Sequence, residues 1–200
     1  MPMRNLLFFL LFIVACSAPG ENTKTPIDLS TDEKVMAELN KGRKEPLEEG
    51  EVCIERPEEF KDLILIGYFA DDRGCMLGDA FYKGEKIDIE KSSSKILMDN
   101  GWAERKNKAD LALEWVVNVS ALWETVVSEE PDNFDTTGEH IFSAPEIQLL
   151  DNGSVIIKCW IKEPSGMAPE DEYYKLLVEF SDKGEIIRSE AEDRYTEILP

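Results

Sequence analysis

Two turn sequences, Asp151-Asn152-Gly153-Ser154 and Ser181-Asp182-Lys183-Gly184, punctuate the last third of the chain and limit its fold more than any other feature. Asn, Asp and Gly tolerate the positive φ angles that tight hairpin turns demand, and apolar stretches flank both turns. Ile147-Gln148-Leu149-Leu150 and Val155 to Lys162 read as one hairpin; Tyr173 to Phe180 and the residues from Glu185 onward read as a second. Alternation assigns the faces. Val155, Ile157, Cys159 and Ile161 point one way, and Tyr174, Leu176, Val178 and Phe180 take the matching face of the next strand. An antiparallel meander with one apolar face needs a layer over that face. Helical periodicity upstream supplies it, so the predicted class is α+β, with helices packed on one face of a C-terminal meander.

The middle of the chain reads as follows. Leu63 to Phe69 is an apolar run closed by Asp71-Asp72-Arg73-Gly74, a strand and a turn. Cys75 to Tyr82 returns as a second strand, with Lys86 to Glu90 as a short third. Ser92-Ser93-Ser94 offers a helix cap before Lys95-Ile96-Leu97-Met98, and Gly101 a stop. A second helix begins near Glu104, because Leu111, Trp115, Val119, Leu122 and Val126 recur at the spacing of one helical face. The β-branched cluster from Val116 to Val127 also fits a strand. The segment therefore divides into helix to Asn118 and strand beyond, with 119–127 open to either form. Trp102, Trp115 and Trp123 read as core. Residues 51–200 are predicted to fold as one α+β domain, the size a chain of 200 residues accommodates beside its tails.

The first fifteen residues differ in character. Arg4 is their one charge, and Leu6 to Ala15 is an unbroken apolar run, about half the ~20 residues that a spanning helix needs. A basic start, a short apolar stretch and small residues at its end predict a secretory signal peptide over 1–15. Ile13-Val14-Ala15-Cys16 resembles the lipobox of bacterial lipoproteins, with Ile where Leu is usual. The resemblance implies cleavage before Cys16 and acylation of that residue, and three acyl chains anchor far more firmly than one. In Gram-negative sorting an Asp after the cysteine favours the inner membrane. Ser17 stands there instead, which implies the outer membrane, with the domain facing the periplasm. The resemblance covers these sixteen residues and implies nothing about the domain behind them. Residues 16–50, rich in Pro, Gly, Thr, Lys and Glu, read as a lipidated N-terminus and flexible tether. A short helix sits within it: Ser30 and Glu33 form a capping-box pattern, Val35, Met36 and Leu39 share a face, and Lys41-Gly42 is a stop.

With 42 acidic and 22 basic side chains the formal charge is −20. That excess argues against nucleic acid as a partner and against docking on anionic lipid through a basic patch, leaving the lipid anchor as the expected membrane contact. The single histidine, His140, has no Gly-x-Ser-x-Gly, His-Glu-x-x-His or P-loop pattern to join and reads as an exposed loop residue. Asp132, Asn133 and Asp135 lack EF-hand spacing and read as a solvated acidic loop. No catalytic residue, metal set or cofactor is therefore assigned. Of the cysteines besides Cys16, Cys159 lies on an apolar strand face. Cys53 and Cys75 can then pair across a loop of about twenty residues, contributing roughly 3 kcal/mol. Three reduced thiols are the alternative, since spacing does not show connectivity.

Apolar residues also occupy the opposite face of the meander. Ile156 and Trp160 point away from Cys159, and Tyr173 and Leu177 away from Phe180, with Lys158, Lys162 and Lys175 interleaved. Exposed, this face is an aromatic and cationic binding surface; covered, it is a second core layer. The expected function is that of a non-enzymatic envelope lipoprotein that binds an envelope protein or glycan. The alternative is an envelope glycan hydrolase using paired carboxylates ~5–9 Å apart. Cys16→Ser is expected to move the protein from the membrane to the soluble periplasmic fraction on cell fractionation; retention in membranes would contradict the lipobox reading.

Overall fold

The computed structural model describes residues 26–69, 75–120, 124–131, 142–163 and 170–198. Their class is α+β, built on two antiparallel sheets. The first sheet runs β1 (Val52–Glu55), β2 (Leu63–Phe69), β3 (Cys75–Tyr82) and β4 (Glu85–Ile87) in sequential order. The second is the meander of β7 (Val155–Glu163), β8 (Glu170–Phe180) and β9 (Ile186–Ile198). On the far edge of β7, β5 (Thr125–Val127) and β6 (Glu146–Leu149) lie one after the other, β6 opposite its first half and β5 opposite its second.

One core joins these layers. Leu63, Leu65, Ala80 and Tyr82 of the first sheet meet Ile157, Cys159, Leu176 and Val178 of the second. Between them pack Ile96 and Leu97 of α2 (Ile89–Asp99), Trp102, and Ala112 and Trp115 of α3 (Lys108–Trp115). The other face of the first sheet is covered too. Ile64, Ile66 and Phe81 pack with Val52 and with Leu29 and Val35, the last from α1 (Asp32–Leu39). Cover on both faces accounts for the apolar run Leu63 to Gly67, all of it buried, where an exposed sheet would alternate.

This second core moves the start of the domain. The tether expected over residues 16–50 is packed from residue 26 on. Val35 is fully buried, Asn40 exchanges two hydrogen bonds with the backbone of Leu47, and the Ile27 N–H donates to the Gly84 carbonyl at 3.1 Å. Gly84 is required there twice over. Its φ is +76°, and a Cβ would stand 2.4 Å from the Ile27 carbonyl oxygen. Composition alone concealed this, because α1 contributes a short apolar stripe whose partner lies in a distant strand.

Local boundaries shift for identifiable reasons. The cap of α1 is Thr31, one residue beyond Ser30, and its hydroxyl accepts from the Lys34 N–H at 3.4 Å. Asp88 caps α2, so Ser92–Ser94 lie inside that helix, and the last two fasten it to the meander. The buried Ser93 Oγ accepts from the Ile186 N–H at 3.3 Å, and Ser94 Oγ donates to the Lys183 carbonyl at 2.6 Å. The next helix starts at Lys108, after a 3₁₀ turn at Arg105–Asn107, and continues as a π-helical segment, Val116–Ser120, two residues past Asn118. Cys53 and Cys75 are joined by a disulfide whose Cα atoms are 6.4 Å apart. It links β1 to β3 across the intervening β2.

Lys108 ties both turns of the meander to α3. Its ammonium, on a residue 7% exposed, donates to the carbonyls of Gly153 at 2.9 Å and Asp182 at 2.7 Å and lies 5.3 Å from the Trp102 ring centroid. Trp102 Nε1 donates to the same Asp182 carbonyl at 3.0 Å. Lys108→Met keeps the aliphatic stem and leaves the Gly153 carbonyl short of its donor. It is expected to lower stability by about 2 kcal/mol in urea denaturation, whereas an unchanged midpoint would contradict this role.

Candidate functional site

The outer face of the meander is not the open aromatic patch that alternation allowed. Trp160 is 1% and Tyr173 4% exposed, packed with Val127 and Phe142. Val127 stands directly opposite Trp160 in the β5–β7 register. Ile156, Lys158, Lys175 and Leu177 are half-buried on the same face. Its cations have local company. Lys175 lies 5.8 Å from the Trp160 ring centroid and Lys162 5.9 Å from that of Tyr173, while Arg188 pairs with Glu190 and, at 3.9 Å, with Glu192. Register places Glu146 beside Lys158 and Glu179 beside Arg188. Opposite charges thus face one another across strands, the arrangement of a solvated sheet face.

The remaining candidates separate by place. Cys159 is buried, and desolvation pushes its thiol up to about 11, so it stays protonated and unreactive at neutral pH. Cys16, Trp123, Asp132, Asn133, Asp135 and His140 lie outside the described residues. Among the described residues no group of three or more His, Cys, Asp or Glu side chains is arranged to hold a metal ion.

Carboxylates do gather in a groove of about 290 Å³ between α1 and β1, which Asp32, Glu33 and Glu49 line beside Met36, Val52 and Ile54. A glycosidase acid needs a raised pKa. Here a hydrogen bond from the Thr31 hydroxyl holds the Glu33 carboxyl below its usual range, and Asp32 is paired with Arg56 at 2.5 Å. The groove has acidic walls, in which Glu33 is shifted away from the range a proton donor needs.

A different cleft, of about 450 Å³, opens where the two sheets part. Leu77 of β3 forms one wall and Ile89 and Glu90, from the first turn of α2, another. Trp115, Val119 and Ser120 come from the end of α3 and its π-helical continuation, a rare geometry that recurs at functional sites. The last wall is the start of β9, Ile186 to Ser189. Trp115 is buried, edge-on to Phe60 at 5.4 Å, and its indole N–H meets no acceptor among the described residues. Apolar surface extends outward from the cleft at Leu77, 38% exposed, and Ile187, 56% exposed. Ile187 is exposed because the β8–β9 register slips between Phe180↔Ile186 and Glu179↔Arg188, leaving it as an extra residue in a bulge.

This cleft is of ligand-binding size, and six apolar side chains line it around a polar rim. The sequence carried one trace of it, the consecutive pair Ile186-Ile187, which breaks alternation at a strand start. Leu77 and Val119 gave no sign of converging, since they belong to a strand and a helix end far apart in the chain. No protein-family model, curated protein or solved structure matches the chain.

The two surfaces make opposite predictions. Trp160→Ala is expected to cost about 3 kcal/mol, the usual penalty for truncating a core tryptophan. Leu77→Ser should leave the melting temperature nearly unchanged. Thermal denaturation of both variants checks the assignment, and an unaffected Trp160→Ala would return the outer face to the list of surfaces.

Proposed function

We propose that this chain is a lipid-anchored protein of the bacterial envelope, held through Cys16 at the outer membrane and facing the periplasm, that works by binding an envelope partner. The cleft between Leu77, Trp115 and Ile187 supports the binding half of this reading. Its walls combine six apolar side chains with Ser120, Arg188, Ser189 and Glu90, the last its one carboxylate among the described residues. Recognition by burial suits such a lining, whereas two-carboxylate hydrolysis needs a second acid across the gap.

The packing of residues 26–50 bears on the anchor. Nine residues separate Cys16 from Pro26, a span of no more than about 35 Å even fully extended. An acylated Cys16 therefore keeps the domain close to the bilayer. The chain enters the domain beside Gly84. Partners reached from this position are themselves at or near the membrane.

In-cell photo-crosslinking from positions 77 and 187 of the full-length protein tests the reading, with position 158 on the meander's outer face as reference. One dominant partner captured from positions 77 and 187, and lost in Cys16→Ser, is the expected outcome. Diffuse adducts from all three positions in both forms would overturn the cleft as the binding site.

A further inference from the structure

Resting on the binding-module reading, we propose that the cleft and the free edge of β9 together accept an extended, basic segment of a partner protein, which adds to the meander as one more strand.

The edge itself is the first observation. β9 spans thirteen residues and pairs with β8, and among the described residues no strand lies on its other side. Of the devices that blunt natural edges, Lys and Pro are absent from Ile186–Ile198, whereas a bulge at Ile187 and the charges of Arg188, Glu190 and Glu192 are present. Side chains from Ile187 to Glu192 are all exposed.

Register then specifies what an added strand must carry. Arg188, Glu190 and Glu192 stand beside Glu179, Leu177 and Lys175 on the outer face of the sheet. Ser189 and Ala191 stand beside Val178 and Leu176 on the inner, core-facing side. Val178 and Leu176 are buried, yet Ser189 and Ala191 are small and exposed, and Ser189 borders the cleft. The inner row has therefore lost its cover at β9. A neighbouring strand would continue that row with every second side chain directed to the side where the cleft lies, and apolar residues fit there. Its alternate side chains would fall beside Arg188, Glu190 and Glu192, a row in which two carboxylates share one guanidinium and the acidic excess favours Lys or Arg. The partner segment thus alternates apolar and basic residues. Main-chain hydrogen bonds supply affinity and the cleft supplies selectivity, the division of labour in strand addition.

A second copy of this chain fits less well. Its own β9 alternates Ser and Ala with Arg and Glu, so it would bring only small side chains to the cleft. Each copy also carries a formal charge of −20.

The probe is the peptide acetyl-Lys-Ile-Lys-Ile-Lys-Ile-Lys-amide, added to the full chain in detergent micelles and followed by fluorescence anisotropy and amide hydrogen exchange. Binding should protect backbone amides within residues 187–192. It should weaken at least tenfold in Glu190→Lys/Glu192→Lys, whose sites are exposed, and should be lost when Pro replaces the central Ile of the peptide. Several outcomes would overturn strand addition: no binding, binding without protection of β9, or equal binding by the Pro-containing peptide. Protection of the same amides that grows with protein concentration in the absence of peptide would assign the edge to a second copy instead. A negative result here beside a dominant crosslink from positions 77 and 187 rejects strand addition while leaving the binding module standing. Loss of both rejects the module.

Discussion

The ammonium group of Lys108 joins three parts of the chain that lie far apart in sequence. It donates to the carbonyls of Gly153 and Asp182, one in each turn of the meander, from the first residue of α3. Turns expose carbonyl groups that no ladder satisfies, and a charged donor on a long stem reaches two of them at once. Trp102 adds its indole N–H to the Asp182 carbonyl and its ring beneath the cation. With Ser93 and Ser94 fastening α2 to the start of β9, the helical layer is indexed to the meander by polar contacts. Apolar packing between the sheets then fills a space whose dimensions those contacts have set.

The first sheet depends on a different closure. Its central strand is apolar on both faces and is stable only when both are covered. The main core covers one face; α1 and Leu29 cover the other. The backbone of Ile27 lies so close to the hairpin turn of β3 and β4 that Gly84 alone fits, and the Cys53–Cys75 bridge spans the same sheet. A segment with the composition of a linker is thus part of the fold, which shortens the chain left over for any anchor.

The candidate site arises where these two solutions fail to join. The helices and sheets pack against each other through most of their length, but at the start of β9 the inner row shrinks to Ser189 and Ala191, and a cleft remains beneath it. The bulge that exposes Ile187 and the π-helical turn that presents Val119 and Ser120 are both departures from regular geometry at its walls. Irregular backbone, exposed apolar side chains and an edge without a neighbouring strand among the described residues coincide in one place.

The hairpins, their turns and the inward faces of β7 and β8 were legible in the sequence because alternation and turn chemistry act between near neighbours. Val155, Ile157, Cys159 and Ile161 are all buried, on the side where alternation placed them. The net charge and the lipobox-like motif are likewise properties of the sequence alone. Tertiary structure decided what covers each surface. Nothing local to Trp160 or Tyr173 tells that Val127 and Phe142 pack on them, and nothing local to Val35 tells that it seals the back of a sheet whose strands follow it in the chain. Nor does Leu77 announce that it will face Ile187 across a gap. Periodicity records which side of an element is apolar; burial depends on what arrives from elsewhere in the chain, and only the folded chain brings those distant parts together.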